Sequence, residues 1–185
     1  MSFQKIQKEV CNEIRFVLSK VDEKEVEVFI DNLLGAKKLF FIGVGRVMFM
    51  TKAFAKRLKH LGIDVHVVGE IVEPPITTHD ILVVGSGSGE TMVPVNMAKL
   101  AQKFKAKVGL ITSSHKSTLK KLADVSVIIP CPTKLHLPEE PISKQPMGNL
   151  FEQSLFILCD CLTIILQKRL GIAGEKMWKT HANLE

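Results

Sequence analysis

Two short apolar runs, Leu39-Phe40-Phe41-Ile42 and Ile81-Leu82-Val83-Val84, each pass through a glycine-containing turn straight into a helical pattern. Four apolar residues in a row, rich in β-branched and aromatic side chains, read as a strand buried on both faces. A strand that feeds a helix through a tight turn returns to the sheet as a parallel neighbour, because an antiparallel return needs only a hairpin. The same alternation recurs. Strand patterns also fall at 65–68, 107–111 and 125–129, and helical patterns at 47–61, 92–105 and 117–122. The expected fold class is α/β, with a parallel sheet covered by helices on both faces. In such sheets ligands bind beyond the carboxyl ends of the strands, so 43–46, 85–91 and 112–114 are expected to meet at one crevice.

The second turn, Gly85-Ser86-Gly87-Ser88-Gly89-Glu90-Thr91, carries the most chemistry. Its glycines let the backbone approach a ligand closely, and the following helix offers its positive end. Ser86, Ser88 and Thr91 add hydroxyl donors, while Gly87 and Gly89 leave N–H groups accessible; a phosphate ester fits this set. The first turn, Gly43-Val44-Gly45-Arg46, is a weaker signal. A dinucleotide fingerprint needs a third glycine at position 48 and an acidic residue ending the next strand, whereas Met48 stands there and Asp64 precedes the next strand. No nicotinamide or flavin is expected, and no cofactor.

The formal charge of +6 raises the question of nucleic acid. The basic residues are scattered, aromatics make up 6% and tyrosine is absent, so the chain lacks stacking platforms, and small anionic substrates explain the charge. Cys11, Cys131, Cys159 and Cys161 show no zinc spacing, and the six histidines form no ligand pair; buried free thiols and no metal are expected. No uncharged apolar run reaches the ~20 residues that cross a bilayer, and the first residues resemble no signal peptide, so a cytoplasmic protein without membrane contact is expected.

Residues 1–185 read as one domain: two amphipathic helices over 1–36, the sheet core over 37–130, a proline-rich loop over 131–148, and a long apolar helix with a tail over 149–185. The first two helices suit packing or an oligomer surface, and the loop suits a lid or a subunit contact. The long helix is apolar on more than one face, which points to burial against a symmetry-related copy. Glu152 has two readings: a capping-box glutamate three residues after Asn149, or a catalytic carboxylate at the head of that helix.

The segments Gly43–Arg46, Ala53-Phe54-Ala55 with Arg57-Leu58, His60-Leu61-Gly62, Val68-Gly69-Glu70, Gly85–Thr91, Gln145-Pro146-Met147-Gly148, Leu150-Phe151-Glu152 and His181–Glu185 resemble the 6-phospho-3-hexuloisomerase branch of the sugar isomerase (SIS) domain family. The resemblance covers nearly the whole chain. It implies a single SIS domain with a five-stranded, three-layer, flavodoxin-like sheet, assembled as a homotetramer. It also implies interconversion of 3-hexulose 6-phosphate and fructose 6-phosphate in formaldehyde fixation by the ribulose monophosphate pathway. It favours Glu152 as the proton-transfer carboxylate. The chemistry itself suits Arg46, at the mouth of the first turn, to stabilising the enediolate and His60 or His181 to shuttling the hydroxyl proton, with Thr112 and Ser113 as weaker candidates for the phosphate and Gly45 as a further substrate contact. One departure stands out: Val47-Met48 replaces a Ser-Gly pair after the first turn. Two rival expectations share the fold, another phosphosugar isomerase such as one acting on arabinose 5-phosphate, and a non-catalytic module that senses a sugar phosphate.

Overall fold

The computed structural model describes residues 2–133 and 142–184. Two helices lead. Helix α1 (Phe3–Leu18) is capped by Ser2, whose hydroxyl accepts from the Lys5 amide, and α2 (Glu23–Gly35) is capped by Asp22, which accepts from the Lys24 amide. The alternating part comes next, as β1 (Leu39–Ile42), α3 (Arg46–His60), β2 (Val65–Val67), β3 (Ile81–Gly85), α4 (Met92–Lys103), β4 (Lys107–Thr112), α5 (Thr118–Leu122) and β5 (Val125–Ile128). The chain ends in α6 (Asn149–Arg169) and the short α7 (Gly174–Trp178). Among the described residues, 71–78 form no helix.

All five strands pair in parallel, in the order β2-β1-β3-β4-β5. The order reverses between β1 and β3, so the turns leaving these two strands diverge to opposite faces and open a crevice between them. Alternation along each strand divides the core. Leu39, Phe41, Ile81, Val83, Ile111 and Val127 pack under α1, α2, α3 and α6, whereas Phe40, Ile42, Leu82, Val84, Val108 and Leu110 pack under α4 and α5. At the opposite edge Asp80, 1% exposed, ties β1 to β3: it accepts from the Lys38 amide at 3.1 Å and from the Thr77 amide and hydroxyl at 2.7 Å each.

Helix α6 has the length and apolarity of a membrane span, but Leu150, Phe151, Leu155, Leu158, Leu162 and Leu166 are buried in the domain core. Its outer face carries Phe156, Ile157 and Ile164, all exposed in the single chain. The thiols divide differently from expectation. Cys131 and Cys159 are buried, whereas Cys11 and Cys161 are exposed, the last because it lies two residues from Cys159 and so faces away from the core. Of the proline-rich loop, 134–141 lies outside the described residues, and a lid role there lies outside them too; the remainder, 142–148, runs along α1 into α6.

The capping-box reading of Asn149 and Glu152 is not what forms. Gly148 is the N-cap and makes no side-chain cap bond, so α6 starts one residue earlier than that motif requires. Asn149 thereby becomes the first helical residue, and its side chain and that of Glu152 both turn to Arg46.

Candidate active site

A cavity of about 220 Å³ opens at the carboxyl ends of β1 and β3. Val44 and Val47 line it from the first turn and α3, Gly87, Ser88 and Thr91 from the second turn, and Pro132 and Thr133 from the segment after β5. Met147, Gly148, Phe151 and Glu152 close the side formed by the start of α6.

The shape of the second turn comes from its own residues. The Ser86 hydroxyl accepts from the Gly89 amide at 3.2 Å, and the Ser88 hydroxyl accepts from the Glu90 amide at 3.3 Å, so each serine curls the loop back on itself. Gly89 has φ +68°, and a Cβ there would fall 2.2 Å from the Ser117 hydroxyl, so no other residue fits without moving the loop. Glu90 fastens the loop to α5 by accepting from the Thr118 amide and hydroxyl, both at 2.7 Å. These bonds hold the Glu90 carboxyl below its ordinary range. Thr91 is the N-cap of α4, spends no side-chain bond on capping and lines the cavity, so the positive end of α4 begins at the cavity wall.

Helix α3 brings Arg46 to the same mouth. Its Nε lies 3.0 Å from Glu152 Oε2, and its Nη1 donates to Asn149 Oδ1 at 2.7 Å. The guanidinium thus spans the gap between the first turn and α6. The Glu152 side chain is only 14% exposed and the Arg46 side chain 55%, so the carboxylate faces the cavity while the cation stays partly in solvent.

Several expected site residues lie elsewhere. Thr112 is fully buried; its hydroxyl donates to the Gly87 carbonyl at 3.0 Å, and the Ser113 amide donates to the same carbonyl. The Thr112 hydroxyl and the Ser113 amide thus brace the loop from behind, and neither residue lines the cavity. Ser86 and Gly89 likewise shape the loop, and Gly45 (φ +61°) supplies the turn into α3; none of the three lines the cavity. His60 and His181 stack on each other, ring centroids 5.1 Å apart, and Thr180 donates to the His60 carbonyl. They sit at the far end of the 15-residue α3, about 21 Å from Arg46 at 1.5 Å per residue, so one chain does not bring them to its own crevice.

Val44 lies in the 43–46 turn that was expected at the crevice, whereas sequence reasoning missed Phe151, because an apolar residue in a helical stripe reads as core, and Met147, because it stands in a loop without periodicity. Asn149 had a detectable signal, a polar residue at a helix head, but the signal pointed to capping. Cys131 is buried next to the lining residues Pro132 and Thr133; burial pushes its thiol up to about 12, only partly offset by the Ser154 and Ser113 hydroxyls, which disfavours the thiolate.

The SIS domain family model matches residues 32–143, which run from α2 past β5 and include both glycine turns. The chain belongs to the SIS domain family. Within it, this SIS domain is 35% identical over 177 residues to the 3-hexulose-6-phosphate isomerase of Bacillus subtilis (strain 168), covering 96% of each chain. It is 36% identical to the 3-hexulose-6-phosphate isomerase of Mycobacterium gastri, covering 95% of this chain and 88% of that one. A Methanococcus jannaschii protein, whose crystal structure led to an inferred function of 3-hexulose-6-phosphate isomerase, superposes with a TM-score of 0.84 at 30% identity. The match covers 98% of this chain and 99% of that one.

Proposed function

We propose that this SIS domain is a phosphosugar isomerase that interconverts 3-hexulose 6-phosphate and fructose 6-phosphate, the step after formaldehyde fixation in the ribulose monophosphate pathway. The observation that carries this reading is one cavity lined by a Ser/Thr anion loop and by a carboxylate held on an arginine. The relatives named above support the choice of sugar.

The chemistry needs little else. With the phosphate on the second turn, Glu152 takes the proton from C2 of the 3-ketose and leaves an enediolate across C2 and C3. The hydroxyl proton leaves O2, O3 gains one, and Glu152 returns its proton to C3, which places the ketone at C2. The Arg46 guanidinium, beside Glu152, stabilises the negative charge that develops on the oxygens. No cofactor takes part in these steps.

The movement of the hydroxyl proton calls for a further group, and the stacked His60–His181 pair, remote in one chain, is assigned to a neighbour's crevice. The exposed apolar face of α6, with Phe156, Ile157 and Ile164, supports docking of a second copy, in a homotetramer built as a dimer of dimers. Mixing Ser88→Ala and His181→Ala chains under subunit exchange, at a substrate concentration where each variant alone shows no turnover, restores activity if sites are shared; a fully active chain truncated after Met177 ends that assignment.

Incubation with a panel of sugar phosphates tests the reading itself. Turnover is expected with 3-hexulose 6-phosphate and not with arabinose 5-phosphate. Turnover of the pentose alone, or binding without turnover of any sugar phosphate, contradicts it.

A further inference from the structure

The segment that leads into one side of the cavity is held from outside the sheet by carboxylates of α1, Glu13 above all. Glu13, in the middle of α1, accepts from the Ser143 hydroxyl at 2.6 Å, the Lys144 amide at 3.0 Å and the Gln145 side-chain amide at 3.1 Å. Lys144 Nζ adds an ion pair with Glu9, one turn earlier on the same helix, at 3.4 Å. The Ser143 hydroxyl also accepts from the Gln145 amide, so the three loop residues and Glu13 form one closed network.

Directly beyond this network the chain becomes the wall of the active site. Only Pro146 separates it from Met147 and Gly148, which line the cavity, and Met147 adopts φ +56°, a conformation that a non-glycine residue holds only where its surroundings impose it. The Asn149 amide donates to the Pro146 carbonyl, and Asn149 then receives Arg46. A continuous path of bonded groups therefore runs from Glu13 to the Arg46–Glu152 pair. Helix α1 lies outside the family-model match at 32–143, and it contributes no cavity-lining residue.

We propose that Glu13 is a positioning residue of the active site: by gathering Ser143, Lys144 and Gln145 it fixes the approach into α6, and so the placement of Met147, Gly148 and Glu152 at the cavity. The three bonds share one carboxylate, and a carboxylate accepts from several donors more strongly than a neutral group does. Because burial of Glu13 is outweighed by these bonds and by the Lys144 charge, its carboxyl lies below its ordinary range and is ionised at neutral pH. The inference rests on the isomerase reading for its kinetic arm alone.

The test uses Glu13→Ala, Glu13→Gln, Ser143→Ala and the Glu13→Ala/Ser143→Ala double variant of the full chain. Amide hydrogen exchange reads the latch without any turnover: exchange at Lys144 and Gln145 is expected to rise about tenfold in Glu13→Ala. Isomerisation, measured first in the wild type, is expected to lose about tenfold in kcat, with KM for the sugar phosphate within about twofold, because the phosphate turn is untouched while the carboxylate is misplaced. Glu13→Gln recovers part of that loss, and the double variant is no slower than Glu13→Ala, since both changes break one network. Wild-type exchange rates in Glu13→Ala overturn the proposal whether or not the protein turns over. Faster exchange with unchanged kcat overturns it as well, leaving Glu13 a purely structural residue whose loss loosens the loop and lowers the melting temperature without touching the chemistry.

Discussion

Arg46 and Glu152 meet at 3.0 Å although 105 positions separate them in the chain. The contact joins the first residue of α3 to the first turn of α6, the two elements whose packing closes the cavity. Arg46 also holds Asn149, so the guanidinium uses two of its edges on α6 at once. A lysine has one ammonium and cannot reproduce that fork.

Arg46→Lys is therefore expected to lower kcat by about 10–100-fold, through a displaced Glu152 and a poorer partner for the enediolate. The fold loses little by the change: the arginine is more than half exposed, and the loss of stability is expected at about 0–1 kcal/mol. Steady-state kinetics and a thermal melt on the same sample check both parts.

Ser88→Ala removes one hydroxyl that both lines the cavity and accepts from the Glu90 amide. Loss of a donor to a charged phosphate corresponds to about 1.5–3 kcal/mol, a weakening of roughly 10–150-fold in affinity for fructose 6-phosphate. Titration calorimetry reads it. Unchanged affinity would move the phosphate off this turn.

Asp80 sets an acid limit on stability. Burial pushes its carboxyl up, but the Thr77 hydroxyl and amide, the Lys38 charge and the Lys38 amide together bring it below its ordinary 3.8. A carboxyl depressed in the folded state binds its proton more readily when unfolded. The stability from these contacts is therefore complete above the ordinary aspartate range and is lost as pH falls from about 4 toward the folded value. Glu13 and Glu90 are depressed too and add to the same slope. Asp80→Asn is expected to cost about 1.5–3 kcal/mol at pH 7 and to flatten the decline between pH 5 and about 3, read from denaturant unfolding at each pH.

Most of the fold was legible because each element announces itself locally. The runs 39–42 and 81–84 are short and apolar, Asp22 caps the helix it precedes, and Gly62 lies just past α3 with φ +77°. The second turn was legible as a wall of the crevice for the same reason, since its glycines and hydroxyls are contiguous, and Gly87, Ser88 and Thr91 line the cavity. The features that escaped depend on contacts between distant segments. Nothing near Thr112 announces that its hydroxyl donates to the Gly87 carbonyl, 25 positions earlier in the chain. Nothing near His60 says that its helix points the ring away from Arg46. The partnership of Glu13 with 143–145 spans 130 positions and has no local pattern at either end.

The role proposed for Glu152 is to move a proton between C2 and C3 of a six-carbon ketose phosphate. Its most direct test is incubation of the protein with fructose 6-phosphate in deuterium oxide, with NMR locating the deuterium that enters the sugar. Deuterium is expected at C3, because the reverse reaction removes that proton first. In Glu152→Gln no incorporation and retained binding are expected, since the amide keeps the side-chain shape but not the base. Incorporation confined to C1, or C3 exchange that persists in Glu152→Gln, would exclude that role for Glu152.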